Sequence, residues 1–286
     1  MLKIALPNKG RLAEDTRSLF DDAGLEVRAS GERALTASLG EEFMAVFVRA
    51  QDIPEFVADG AADAGVTGFD LVCESGRTIE SMLDLGFGRC RIVLAAREDS
   101  KVRELKDLGA SVRVATVFPR VTREYLAANA VAADIVPMSG AVEIAPHLGI
   151  ADVIVDLTST GSTLRVNGLR EIATIMESTA RLIAAPAPRK AQHDRPLKEL
   201  VAALSSVLRA RGRRYLMANV PRAALDQVRR VTPGLNGPTV VDILNGGEMV
   251  AVHAVVETAT LYRTIADLKR LGAEGILVTR IERLMP

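Results

Sequence analysis

The sequence predicts an α/β protein in two parts: a body of parallel sheets covered by helices, and a small unit of strands and helices at the carboxyl end. Three observations carry this. Short apolar runs of strand length alternate with helical patterns, joined by short glycine-containing turns, which is the rhythm of βαβ units. The last stretch, residues 212–286, reads strand, helix, strand, strand, helix, strand, the order of a ferredoxin-like βαββαβ unit. The length of 286 residues suffices for two domains.

In chain order, Leu2 to Leu6 reads as the first strand. Pro7-Asn8-Lys9-Gly10-Arg11 is a basic turn, and a helix from Leu12 to Ala23 ends at Gly24. Cations in a βα turn stand where open α/β sheets bind ligands, although a solvated turn is the plainer reading of these two. Phe43 to Arg49 is a strand ending in a cation, followed by an amphipathic helix from Ile53 to Asp59. Ala64 to Leu71 repeats the pattern of strand, glycine turn and acid. Cys90 to Ala96 is a further strand, Lys106 to Gly109 reads as the close of a helix, and Val112 to Thr116 is a strand again. A helix then spans Val121 to Asn129, and Ile135 to Gly149 reads as strand, turn and helix. Residues 171–185 are strand-rich.

Pro186 and Pro188 mark a break, and Pro196 opens a helix to about Arg211, with Leu197, Leu200, Val201, Leu204 and Leu208 at helical spacing. The four arginines from Arg209 to Arg214 read as a domain boundary. Beyond it come a strand from Tyr215 to Val220, a helix from Arg222 to Val231, and strands Pro238 to Leu244 and Met249 to Val256. The turn Asn245-Gly246-Gly247 makes those two strands a hairpin. A helix from Thr260 to Leu271 and a strand from Gly275 to Ile281 complete the unit.

Composition excludes several classes. Hydrophobic content of 48% and charge of 25% are ordinary for a globular enzyme, and 36 basic residues balance 36 acidic ones, so nothing suggests nucleic acid or an anionic membrane. Aromatics are 3% with no Trp, which weakens base stacking as well. The opening residues lack the apolar core of a signal peptide, and no apolar run approaches the ~18–20 residues of a membrane span, so a cytoplasmic protein is expected. Cys73 and Cys90 form no CxxC or Cys/His ligand set and read as reduced thiols. His147, His193 and His253 are scattered, without metal-ligand spacing, and read as packed or surface residues. No glycine-lysine-Ser/Thr triplet exists, which argues against a P-loop.

The most informative stretch is Ala151 to Leu164. Its apolar run Val153-Ile154-Val155 closes on Asp156, and Thr158, Ser159, Thr160, Ser162 and Thr163 then cluster around Gly161. A strand feeding a turn of hydroxyls and glycine can hold a phosphate monoester through backbone N–H groups and hydroxyls, with a helix beginning near Ser162. Asp156 is placed to accept hydrogen bonds from sugar hydroxyls. The alternative is an ordinary polar βα loop with a capping hydroxyl. With its upstream flank, Glu143 to Ile150, the string resembles the signature of ATP phosphoribosyltransferase, the enzyme opening histidine biosynthesis. Many other phosphoribosyltransferases carry two adjacent acids before such a loop, whereas only Asp156 stands there in this chain. Glu143 is the other acid of the signature, and could face the site or begin a helix.

The resemblance implies two lobes with a cleft between them, like periplasmic solute-binding proteins of type II: residues 1–92 with 181–211 as one lobe, and 93–180 as the other, which carries the phosphate loop. It implies that Lys9 and Arg11 face substrate phosphates, and that Asp156 holds the ribose. Thr158 through Thr163 (Thr158, Ser159, Thr160, Gly161, Ser162, Thr163) would hold the 5′-phosphate. Arg49, Gly68, Asp70, Leu71 and Phe118 would line the nucleotide pocket. ATP and phosphoribosyl pyrophosphate (PRPP) would be the substrates, with Mg²⁺ carried on the pyrophosphate rather than by a protein ligand set. The βαββαβ unit resembles the regulatory domain of the long form of the enzyme, which binds histidine as inhibitor. That implies ligand contacts at Asn219, Leu235 and Thr239, Asn219 standing where an acid is frequent. A homo-oligomer, dimer or hexamer, without a separate regulatory subunit is expected. The competing readings are a salvage phosphoribosyltransferase acting on a free base and a cytoplasmic solute-binding sensor.

Overall fold

The structure is a computed structural model describing residues 1–29, 34–109, 111–186, 194–244 and 247–285. Pro188, His193 and the Asn245-Gly246 part of the expected hairpin turn lie outside the described residues. The chain divides into two compact units, Met1–Val201 and Ala202–Pro286.

The first unit opens with β1 (Leu2–Pro7), α1 (Arg11–Asp22), β2 (Arg28–Ala29), β3 (Thr36–Leu39), β4 (Phe43–Val48), α2 (Ile53–Ala58) and β5 (Ala64–Gly68). It continues with α3 (Phe69–Ser75), β6 (Glu80–Asp84), β7 (Cys90–Arg97), β8 (Val112–Thr116), α4 (Pro119–Ala128) and β9 (Ala133–Pro137). Then come β10 (Val153–Thr158), α5 (Ser162–Val166), β11 (Leu169–Ser178), β12 (Ala180–Ala184) and α6 (Asp194–Ala210), whose second half belongs to the other unit.

These strands form two sheets, ordered β2-β3-β4-β1-β5-β12-β6 and β11-β7-β10-β8-β9. The two orders match: in each lobe, three parallel strands are followed by one antiparallel strand delivered by a crossing, β12 against β5 and β7 against β10. This is the two-lobed, twice-crossed arrangement of the type II solute-binding fold. The first crossing falls between Asp84 and Cys90, ahead of the expected boundary after residue 92, because all of β7 pairs within the second sheet. The second falls at Thr179, between β11 and β12.

Burial explains why the sheets form. The central strands are apolar on both faces: β5 reads as five buried residues and β7 as five in a row, Ile92 to Ala96. Helices cover both sides, with Ile53 and Val57 on one face of the first sheet, and Phe118, Val121 and Leu126 on the second sheet's core with Ile92, Leu94, Val153 and Val155. α3 belongs to the first lobe by sequence but packs Leu71 and Cys73 onto that second-lobe core. The Glu74 carboxylate then accepts hydrogen bonds from the Arg120 and Val121 N–H groups at 2.9 and 3.0 Å, capping α4 across the lobes.

Three local expectations fail. No α-helix closes at Lys106 to Gly109; Leu105–Asp107 is one 3₁₀ turn, tied by reciprocal bonds between Glu104 and Asp107. Ile135 to Gly149 ends in a 3₁₀ turn at Val142–Ile144 and further turns rather than a helix, because Ala141 takes a left-handed φ of 50° and Pro146 interrupts the run. Asp70 and Leu71, expected in a turn, sit in the first turn of α3, which starts directly after β5.

The second unit holds β13 (Arg213–Pro221), α7 (Leu225–Val231), β14 (Thr239–Asp242), β15 (Met249–Glu257), α8 (Leu261–Arg270) and β16 (Glu274–Arg280). Its antiparallel sheet is ordered β14-β15-β13-β16, the ferredoxin-like arrangement. Alternation does the work here: Leu216, Ala218, Val220, Val250, Val252 and Ala254 are buried on the face that meets Val228 and Leu268 of the two helices. The unit begins inside α6 rather than after it, since the Leu284 N–H donates to the Ser206 carbonyl at 2.9 Å.

Candidate functional site

Three strand ends of the first sheet converge. β4, β1 and β5 are parallel neighbours, so the loops at their carboxyl ends leave the sheet side by side. Pro7 lies opposite Val48, the Asn8 N–H donates to the Val48 carbonyl at 2.9 Å, and the Thr67 hydroxyl donates to the Ala50 carbonyl at 2.7 Å. The structure thereby brings Lys9, Arg11, Arg49 and Gly68 to one edge, with all three cations exposed. Gly10, at φ 82°, permits the turn that starts α1 with Arg11.

At the carboxyl end of β10 the second lobe supplies the hydroxyl loop. Thr158 is buried and its hydroxyl accepts the Gly161 N–H at 2.9 Å, which folds the loop back on its strand. Gly161 holds φ 74° just ahead of α5, and the Thr160 and Ser162 hydroxyls lie 2.9 Å apart. Ser159, Thr160, Ser162 and Thr163 are exposed and can meet a ligand. Asp156 is half-buried on the same strand, two residues before Thr158. Burial raises its carboxyl above the ordinary value, against a hydrogen bond from the Leu157 N–H, and the nearby Glu143 charge raises it further. Glu143, left open by the sequence, is therefore close to Asp156.

Asp70 and Phe118 are not open to a ligand. Phe118 is 5% exposed, enclosed in the second-lobe core that Leu71 and Cys73 close over, so its ring is a packing residue rather than a nucleotide wall. Asp70 is also 5% exposed, and the Ser178 hydroxyl donates to its Oδ1 at 2.6 Å while accepting the Asp70 N–H at 3.0 Å. Burial pushes its carboxyl up, against hydrogen bonds from Ser178 and from the backbone of Asp70 and Leu71. Gly68 serves this pair: a Cβ there would stand 2.3 Å from Asp70 Oδ1. Because Ser178 ends β11 opposite Cys90, which begins β7, Asp70 joins the first lobe to both crossings. Burial beside Asp70 also pushes the Cys90 thiol up to about 11.

Between the crossings and the hydroxyl loop lies a cavity of about 440 Å³. Ser159, Arg89, Arg91, Arg181, Asp84 and Glu177 line it. Arg91 sits opposite both Thr158 and Glu177 in a row across β10, β7 and β11. It is ion-paired with Glu171 and donates to the Thr174 hydroxyl at 3.2 Å. Arg181 pairs with Asp84 at 3.2 Å and lies over the Phe69 ring, 5.1 Å from its centroid. Burial works to raise the Asp84 carboxyl, but the Gly86 N–H, the Thr179 hydroxyl, Arg181 and Arg89 together hold it below the usual range. Nothing in sequence separates these arginines from surface cations at strand starts. Only the pairing of β7 with β10 sets them beside the loop.

In the second unit, Asn219 on β13 and Thr239 on β14 share the sheet face away from α7 and α8, for Thr239 lies opposite His253, and His253 opposite Met217. On that face the Tyr215 hydroxyl meets His253 Nδ1 at 2.8 Å. Leu235 is exposed in the segment before β14.

Comparison with known proteins bears on both units. A family model described as ATP phosphoribosyltransferase matches residues 49–206, and one described as HisG, C-terminal domain, matches residues 210–283. An ATP phosphoribosyltransferase of Gemmatimonas aurantiaca is 69% identical over the full length of both chains. One from Halorubrum lacusprofundi is 48% identical, covering 99% of this chain and all of that one. Among solved structures, an ATP phosphoribosyl transferase (HisG:HisZ) complex from Thermotoga maritima contains a chain that aligns at 29% identity with a TM-score of 0.63, over 73% of this chain and 99% of that one.

Proposed function

The chain belongs to the ATP phosphoribosyltransferase family, and from that premise we propose that it transfers the phosphoribosyl group of PRPP to N1 of ATP. The products are phosphoribosyl-ATP and pyrophosphate, and the step opens histidine biosynthesis. One observation carries the reading: a loop of exposed hydroxyls, folded back by the Thr158–Gly161 hydrogen bond, stands two residues beyond a half-buried acid on the same strand. That loop suits the 5′-phosphate, and Asp156 suits the ribose hydroxyls. The transition state is oxocarbenium-like, so positioning and electrostatics supply most of the rate, with little covalent help needed from the protein. Lys9, Arg11 and Arg49 offset the negative charge of the two substrates from neighbouring strand ends, and Gly68 stands on the nucleotide side.

Mg²⁺ would arrive on the pyrophosphate of PRPP, since a hard cation takes phosphate and water oxygens, rather than be held by a protein ligand set. When bound, the cation neutralises the leaving group. Histidine inhibits through the second unit, at Asn219, Leu235 and Thr239, and the chain works as a homo-oligomer without a separate regulatory subunit. Among the described residues no helix is long and apolar enough to cross a membrane.

The test is pyrophosphate release with PRPP, ATP and Mg²⁺, with and without histidine. Release that needs ATP and falls with histidine supports the reading. Release with adenine, hypoxanthine or orotate in place of ATP replaces it with a salvage enzyme, and no release replaces it with a binding protein.

A further inference from the structure

Resting on that reading, we propose that Arg89, Arg91 and Arg181 form a polyphosphate seat at the crossings, next to the hydroxyl loop and separate from its hold on the 5′-phosphate. The cavity they line, about 440 Å³, is of ligand size. Three guanidinium groups and two carboxylates, Asp84 and Glu177, line it, and a third carboxylate, Glu171, pairs with Arg91, so the charges balance until a phosphate competes for the arginines. Two of the three are braced from outside or from the wall: Arg91 by Glu171 and Thr174, Arg181 by Asp84 and the Phe69 ring. Bracing fixes the planar forks before a ligand arrives, which is what favours arginine for phosphate oxygens.

Arg181 also carries a buried Nε–H without a hydrogen-bond partner among the described residues, although its terminal nitrogen is paired. Such a donor is closed off in the unliganded chain, and a small shift of the Arg181 side chain would offer it to an acceptor. Ser159 places this seat beside the loop: it lines the cavity and directly follows Thr158, which lies opposite Arg91. A phosphoryl chain of more than one unit extends from such a position in a way that a single phosphate does not. Its source is the pyrophosphate of the donor and product, or the triphosphate of ATP.

Calorimetric titration of the full chain with inorganic pyrophosphate, and separately with ATP, each with Mg²⁺, tests the assignment. Arg89→Ala removes an exposed side chain, and Arg181→Lys keeps the charge but loses the fork and Nε–H. A tenfold or greater loss of pyrophosphate affinity in both variants, with ATP affinity within twofold of wild type, assigns the seat to the donor's pyrophosphate. The converse assigns it to the triphosphate, and loss of both assigns it to either in turn. Glu177→Gln removes a repelling charge and should tighten the same ligand severalfold, an effect that a purely structural role does not produce. If wild type releases pyrophosphate from ATP and PRPP while Arg89→Ala and Arg181→Lys bind both ligands normally, the seat is refuted and the function stands. If wild type releases none, the function fails first.

Discussion

Two aspartates with raised carboxyls have different tasks. Asp156 stands at the loop with exposed hydroxyls beyond it, and Asp156→Asn keeps the shape while removing the charge. Turnover should fall about a hundredfold, roughly 2.7 kcal/mol, with the melting temperature nearly unchanged; near-normal steady-state rates would remove Asp156 from the site. Asp70 is a buried anchor, held by Ser178. Since burial lifts its carboxyl in the folded chain, the native state keeps this proton to higher pH than the unfolded chain does. Its contribution to stability is therefore fully present at low pH and declines as pH rises from about 4 through the folded value. Asp70→Asn lacks that titration, so the wild-type advantage over the variant, followed by urea unfolding across pH, should shrink with rising pH and then level off.

Among the elements, α4 shows how a helix can depend on another lobe. Its first turn has no side-chain cap of its own, Phe118 occupying the cap position, and two of its orphan N–H groups are met by Glu74. Glu74→Ala should cost about 0.5–2 kcal/mol in urea unfolding, the range for a lost helix cap. Gly161→Ala tests the loop differently. A Cβ there would meet only the Arg165 side chain, in ordinary contact at 3.5 Å, but φ 74° disfavours any side chain, so about 1 kcal/mol of strain should fall on the loop and raise the KM for PRPP. Such elements also mark how far the sequence could be read. β1, β4, β5, β7, β8 and β10 were legible because each is a dense apolar run bounded by a turn. β2, β3 and β6 were not: β2 has two residues, β3 alternates only over Thr36 to Leu39, and β6 is an acidic edge strand, Glu80 to Asp84. The helix misread at Lys106 to Gly109 failed because its polar residues serve a one-turn cap rather than a face.

For the whole molecule, the loop and its acid were legible since they are contiguous in sequence, while the arginine cavity was not, being assembled from β6, β7, β11 and β12. Phe118 and Asp70 were placed at the site by likeness of position, and only packing reveals that they are enclosed. Removing residues 212–286 should leave pyrophosphate release measurable while abolishing its inhibition by histidine. Inhibition that survives the truncation would move the regulatory site into the catalytic lobes.

The grip of Glu74 on α4 has one more outcome. A ligand that moves α3 off α4 pulls that carboxylate away from the Arg120 and Val121 amides, so parting these two helices and fraying the helix start become one event. Deuterium uptake at those two amides then works as a native gauge of this contact, slow when made and fast when parted, with no label attached to the protein.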